Sequence, residues 1–289
     1  MRMSEPDATR MKSTPSWTTV RIGPKPFIAV DHQGEGPLVV FLHGIGGNRT
    51  NWYDQLPAFA EYFHAAAWDA RGYGLSDDYD GPYRFEDICA DLIRVLDHFD
   101  AATAHIVGLS MGGRIAQDFC YRHASRVATL TLCDTAFGLK ADPPEKREQF
   151  IRLRQQPLLA GKTPRDIAPD VVPTLEGPHV TPAVHARLIE SIAALRTESY
   201  LKGIATSLTY DLPQRHHEIR VPTLCVYGGA DRLTPPSIGE EIARRVPDSR
   251  LVVLPEIGHL SNIEAPAAFN RVVLEFLSAH RGLAYAKAA

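Results

Sequence analysis

No stretch of this 289-residue sequence approaches the roughly 18 to 20 consecutive apolar residues that a bilayer-spanning helix needs, so no membrane partner is expected. Charge of one sign is not in excess either. The 31 lysines and arginines face 34 aspartates and glutamates, a formal net charge of -3, with no basic block to attract nucleic acid or an anionic surface. The expected ligand is therefore small and neutral or weakly charged. Cysteine is scarce: Cys89, Cys120, Cys133 and Cys225 lie in apolar stretches, not in CxxC-type spacings, which argues for reduced core residues and against a metal site. The opening MRMSEPDATRMKSTPSW lacks the apolar run of a signal peptide; a cytoplasmic location follows as an expectation, with residues 1–16 read as a mobile polar tail. Internal repeats and low-complexity segments are missing too.

What is present is an alternation of strands and helices in a chain that is 44% hydrophobic. TTVRIG and FIAVDHQG read as an opening hairpin, and PLVVFLHG as a strand buried on both faces of a parallel sheet. HAAAWDARG, AHIVGLS, VATLTLCDT, VPTLCVYGGAD and RLVVLPEIGH continue the series. Between them, NWYDQLPAFAEY predicts a helix around Pro57, and FEDICADLIRVLDHF places Ile88, Leu92, Ile93, Val95, Leu96 and Phe99 along one face. GGRIAQDFCYRH, EEIARRV and PAAFNRVVLEFLSAH complete a pattern of right-handed crossovers around a mostly parallel sheet with helices on both faces. From Ala136 to Pro213 the strands stop. The helical, proline-broken segments EKREQFIRLRQQPLLAG, AVHARLIESIAALR and ESYLKGIATSL predict an inserted helical cap over residues 136–213, leaving 17–135 and 214–289 as the core.

Chemistry concentrates at the ends of the strands. In GLSMG, Gly108 and Gly112 flank Ser110 where the chain must turn sharply from strand to helix and still expose a side-chain oxygen. Serine is a weak nucleophile at neutral pH, so it needs a base to take its proton and a carboxylate to orient that base. His259, in the loop LPEIGHLSNIE before the last helix, is the candidate base, and Asp231, just after the strand in VYGGADRL, the candidate acid. Asp134 in TLCDTAFG also ends a strand and competes for the acid's place. FLHGIGG supplies glycine-rich backbone from which the amide of Ile45 can join that of Met111 in an oxyanion hole. Gly44, Met111 and Trp52, each next to an oxyanion element, are expected to wall the pocket. His43 and Arg71 are expected to be structural.

These segments, FLHGIGG, WDARGYGLSD, GLSMGG, GGADRLTPP and GHLSNIEAPAAF, occur in an order that resembles the serine hydrolases of the α/β-hydrolase fold. Within that family the core is most similar to 3-oxoadipate enol-lactonases. The resemblance implies that Ser110, Asp231 and His259, in that chain order, form a catalytic triad, and it favours Asp231 over Asp134. It further implies a hydrolase of small carboxylic esters or lactones that works through an acyl-enzyme and uses no metal or cofactor. Carbon–carbon bond hydrolysis of meta-cleavage type and a perhydrolase or haloperoxidase-like reaction are the other chemistries it allows, and a non-enzymatic ligand-binding receptor is the alternative of another class. Dehalogenases and epoxide hydrolases of the fold place aspartate where this chain has Ser110. In the cap, Arg152, Arg154, Arg187 and Arg196 are candidates to hold a substrate carboxylate, against the simpler reading that helical arginines face solvent. The cap carries no motif that fixes the substrate or the oligomeric state.

Overall fold

The computed structural model describes residues 17–137, 144–210 and 215–287. The polar tail expected over residues 1–16, and the expected cap boundary at Pro213, lie outside these described residues. Eight strands form one sheet: β1 (Thr18–Ile22), β2 (Ile28–Gln33), β3 (Leu38–Leu42), β4 (His64–Trp68), β5 (Ala104–Leu109), β6 (Val127–Cys133), β7 (Thr223–Gly228) and β8 (Ser249–Leu254). Their spatial order is β1-β2-β4-β3-β5-β6-β7-β8. The opening hairpin is antiparallel, as is its junction to β4, and every other pairing is parallel.

The strand residues are apolar in both parities because both faces are covered. Val40, Leu42, Ile106, Leu130, Leu132 and Tyr227 point to one face, where α2 (Phe85–His98) and α3 (Met111–Arg122) pack with α9 (Pro236–Arg245). Their sequence neighbours Val39, Phe41, Val107 and Val226 point to the other, against α1 (Leu56–Ala60) and α11 (Pro266–Ala279), which follows the short α10 (Ser261–Glu264). In α2 the expected stripe faces inward, with Ile88, Leu92, Val95 and Leu96 fully buried. The helix expected around Pro57 divides in two. Asn48 caps a 3-10 turn over Arg49–Trp52, and α1 restarts with Pro57, which lacks an N–H, in its first turn, where no intrahelical partner is needed.

Between β6 and β7 the described residues hold only helices: α4 (Pro144–Phe150), a π-helical segment (Ile151–Gln155), α5 (Gln156–Leu159), α6 (Pro164–Val171), α7 (Pro182–Ala193) and α8 (Thr197–Thr209), with short 3-10 turns. α6 adds to the sequence expectation: its two prolines read as breakers, yet Pro164 occupies the first turn behind the Thr163 cap and its Asp166 box partner. Val171, Leu188 and Tyr200 of this segment line one cavity with Ile45, Ser110, Leu233 and His259, which follow β3, β5, β7 and β8. Among the described residues no helix is long and apolar enough to cross a membrane, no group of three His, Cys, Asp or Glu side chains is placed to hold a metal ion, and all four cysteines are buried and unpaired.

Candidate active site

β5 ends at Leu109, and the chain reverses into α3 through Ser110, held at φ 53° and ψ -116°, a conformation few non-glycine residues adopt. The turn survives because the surroundings are small. A Cβ on Gly108 would lie 2.4 Å from the Gly112 carbonyl oxygen, and one on Gly112 would lie 2.2 Å from the carbonyl oxygen of Leu42. Strand and helix thus touch backbone to backbone, which lifts Ser110 Oγ clear of the sheet.

The ends of β5, β7 and β8 deliver the partners. Ser110 Oγ lies 3.0 Å from His259 Nε2, and His259 Nδ1 lies 2.8 Å from Asp231 Oδ2. With the Nδ1 proton directed at the carboxylate, Nε2 is left to accept from the serine hydroxyl. The sequence choices Ser110, His259 and Asp231 are therefore brought together in one hydrogen-bonded chain. Asp134 is close by but bonded elsewhere: its Oδ1 accepts from the Gly228 amide at 2.7 Å, and its Oδ2 shares a 2.5 Å hydrogen bond with Ser261 Oγ.

Electrostatics separate the two carboxylates. Burial alone would lower the imidazole pKa of His259, but the charge of Asp231 and its hydrogen bond more than offset this and raise it. Asp231 is itself held below the usual carboxylate range: burial opposes ionisation, but His259, Thr234 and backbone amides hold the charge. Burial, and then the charge of Asp231, push Asp134 up to about 8, so it is the neutral member of the pair.

Two residues that the sequence reading did not single out support this arrangement. Thr234 Oγ1 donates to Asp231 Oδ2 at 2.6 Å, while the amides of Leu233 and Thr234 donate to Oδ1 at 2.8 and 3.0 Å. An aspartate followed by threonine three positions later is an Asx-turn pattern, the local signal that could have found it. Glu264 Oε2 accepts from the amides of Gly258 and Gly177, both at 3.0 Å, and so ties the His259 loop to the helical insertion. The His259 amide donates to the Leu175 carbonyl at 2.7 Å in the same junction.

A cavity of about 130 Å³ opens above Ser110 and His259, bordered by Gly44, Ile45 and Met111 and roofed by the insertion. Met111 opens α3, so its amide has no intrahelical carbonyl to serve. Gly44 keeps the approach open, since a Cβ there would stand 3.3 Å from that of Ser110. His43 is structural, as expected: Nδ1 donates to the Gly44 carbonyl at 2.8 Å and Nε2 accepts from the Ala70 amide at 3.1 Å. Arg71 is likewise structural and grips Asp91 through two nitrogens, at 2.6 and 2.7 Å.

Trp52 requires a correction. It does not border the cavity; its fully buried indole packs between Phe41 and Phe269, with ring centroids at 4.9 and 6.2 Å, in the core on the α1 and α11 side. The 3-10 turn that carries it, in place of the expected longer helix, points the ring down into the core. Of the four cap arginines, Arg152 is exposed, Arg187 binds Asp54 and the Thr50 carbonyl, and Arg196 binds the carbonyls of Gly72, Gly74 and Ser76. Arg154 alone among them reaches the cavity.

The family model described as "alpha/beta hydrolase fold" matches residues 37–266. The chain belongs to the α/β-hydrolase family. It is 27% identical to 3-oxoadipate enol-lactonase 2 of Acinetobacter baylyi over 83% of this chain and 88% of that one. Among solved structures, a thermophilic esterase from Thermogutta terrifontis with malate bound superposes with a TM-score of 0.81 at 28% identity, covering 91% of this chain and 99% of that one. The enol-lactonase of Burkholderia xenovorans superposes with a TM-score of 0.76 at 28% identity, covering 87% and 96%. These likenesses to an α/β-hydrolase esterase and two lactonases support hydrolase-type activity in general; they do not single out one reaction.

Proposed function

We propose that this α/β-hydrolase is a serine hydrolase of small carboxylic esters or lactones. Ser110 Oγ attacks the carbonyl as His259 takes its proton; His259 then returns that proton to the departing alkoxide, and water, activated by the same ring, releases the acyl group. Asp231 fixes the imidazole tautomer and stabilises the imidazolium. The amides of Ile45 and Met111 receive the negative charge that develops on the carbonyl oxygen, and the positive end of α3 reinforces them. The helices between β6 and β7 serve as the cap that closes the pocket. A single observation carries the reading: one continuous hydrogen-bonded chain from Ser110 through His259 to Asp231 beside a cavity that Ser110 and His259 both line.

The likeness to enol-lactonases and an esterase supports the choice of carboxyl chemistry. Ser110→Ala keeps the small turn and removes the attacking oxygen. Turnover of p-nitrophenyl butyrate should then fall by roughly a thousandfold or more with the fold intact by circular dichroism. Residual activity within about tenfold of the parent would defeat the mechanism.

A further inference from the structure

Three arginines border the cavity above Ser110. Arg114, Arg147 and Arg154 all line it, and no aspartate or glutamate is among its described lining residues. A guanidinium away from water is costly unless something answers its charge. Arg147 is exposed and donates to the Leu208 carbonyl at 2.7 Å, while the buried Arg114 donates to the Ser207 and Tyr210 carbonyls at the same end of α8. Cations at a helix C-terminus satisfy its last carbonyls, so these two fasten α8.

Arg154 is placed differently. Only 4% exposed, it lies over the Phe150 ring at 4.5 Å from the centroid, beside the Tyr200 hydroxyl. Tyr200 also lines the cavity, and its hydroxyl makes no hydrogen bond of ordinary geometry. No ion pair among the described residues includes Arg154. The residue belongs to the π-helical segment Ile151–Gln155, and such segments are rare and frequently lie at functional sites. Its position also joins two spaces: Arg154, Phe150 and Leu233 border both the cavity above Ser110 and an adjoining cleft that Arg232 flanks. The guanidinium is near enough to His259 for its charge to oppose the imidazolium, which puts it within electrostatic reach of the reacting centre.

We propose that Arg154, with the Tyr200 hydroxyl, is the receptor for an ionised carboxylate on the substrate, so that the preferred esters or lactones carry a second, anionic carboxyl group a few atoms from the carbonyl attacked. This refines the expectation of a neutral or weakly charged ligand and rests on the serine-hydrolase reading. An Arg–carboxylate contact supplies two parallel N–H donors in the geometry a carboxylate accepts, and Tyr200 adds a third.

The test compares mono-p-nitrophenyl glutarate with p-nitrophenyl pentanoate, which differ in a terminal carboxylate on the acyl side, and 3-carboxyphenyl butyrate with phenyl butyrate, which differ on the alcohol side. Wild type should prefer the anionic member of at least one pair. Arg154→Met should reduce that ratio of kcat/KM by about 10- to 100-fold, mainly through KM. Arg152→Met, two residues away on the exposed side, should leave the ratio unchanged. A ratio that Arg154→Met leaves within about threefold overturns the proposal, as does the lack of any anionic preference in wild type. Should Arg154→Met fail to fold, inhibition of the wild type decides: glutarate should compete with p-nitrophenyl pentanoate at concentrations where glutaramide does not, and equal inhibition overturns the assignment. Ser110→Ala separates the two readings, because pentanoate hydrolysis that persists in this variant removes the serine mechanism itself, whereas Ser110-dependent hydrolysis with no anionic preference removes only the role of Arg154.

Discussion

Asp231 and Asp134 stand at the ends of adjacent strands, yet their environments divide them into one charged and one neutral carboxyl group. Asp231 keeps its charge through His259, Thr234 and two amides, and in return raises the pKa of His259 against the effect of burial. In the proposed mechanism attack by Ser110 needs the neutral imidazole, so kcat/KM for a neutral ester should climb about tenfold per pH unit and level off above an inflection that lies higher than the ordinary histidine value of about 6.5. Asp231→Asn removes the charge that raises it and leaves burial in command. The inflection should move to lower pH while the plateau falls by roughly 10³- to 10⁴-fold, as read from pH–rate profiles; an unmoved inflection would contradict the pairing.

Asp134 has the opposite sign. Its folded-state pKa of about 8 lies above the value of about 3.9 it takes when unfolded. Between these values the folded chain binds more protons than the unfolded one, so this group's contribution to stability is present at low pH and is lost as pH rises, at up to about 1.4 kcal/mol per unit. His259, also raised, adds loss in the same direction. Asp134→Asn, which mimics the neutral acid, should therefore flatten the decline in stability between pH 5 and 8 in urea unfolding, and reduce turnover far less than Asp231→Asn. A steeper decline in the variant would mean that Asp134 is ionised in the folded protein.

At the scale of elements, a severe constraint is the approach of α3 to β3 and β5. The atom that a methyl on Gly112 would strike, at 2.2 Å, is a backbone oxygen of a buried strand and cannot turn aside as a side chain could. Gly112→Ala should cost about 3 kcal/mol or more, while Gly282→Ala, into open space, should stay within about 0.5 kcal/mol, both from urea midpoints. Equal effects would show that the elbow has room to spare.

The elbow was legible in the sequence for the same reason that it is intolerant: a buried strand, a serine between glycines and an amphipathic helix leave few other ways to arrange the backbone. The strand ends carrying Asp231 and His259 were legible through the apolar runs before them. Residues whose role depends on three-dimensional approach were not. Glu264 matters because Gly177, far away in sequence, comes within reach of the same carboxylate oxygen as Gly258. Trp52 was misplaced because sequence proximity to the glycine loop says nothing about which side of a 3-10 turn its ring takes. Arg154 was indistinguishable from Arg152, Arg187 and Arg196 until the π-helical segment separated an inward position from an outward one two residues away.

Across the whole molecule, two arginines fasten the helical insertion to loops of the core. Arg196 spans from the start of α8 to three carbonyls of the core loop after β4, and Arg187 joins α7 to Asp54 and Thr50. The space above Ser110, about 130 Å³, is near the roughly 150 Å³ known to accommodate benzene in an engineered apolar cavity, which suits a short acyl group or a small lactone ring. Each methylene that enters an apolar site gains about 0.8 kcal/mol, but one with no room must remain in water or displace the cap. Across acetate, butyrate, octanoate and palmitate esters, kcat/KM should therefore rise and then fall once the chain exceeds about six to eight carbons. Arg196→Ala releases three of the fastening hydrogen bonds without touching Ser110, so the fall should become shallower, with octanoate gaining on butyrate by severalfold. Best turnover of palmitate by the wild type would refute the closed pocket, and an unchanged chain-length profile in Arg196→Ala would show that the limit comes from the cavity walls and not from the fastening of the cap.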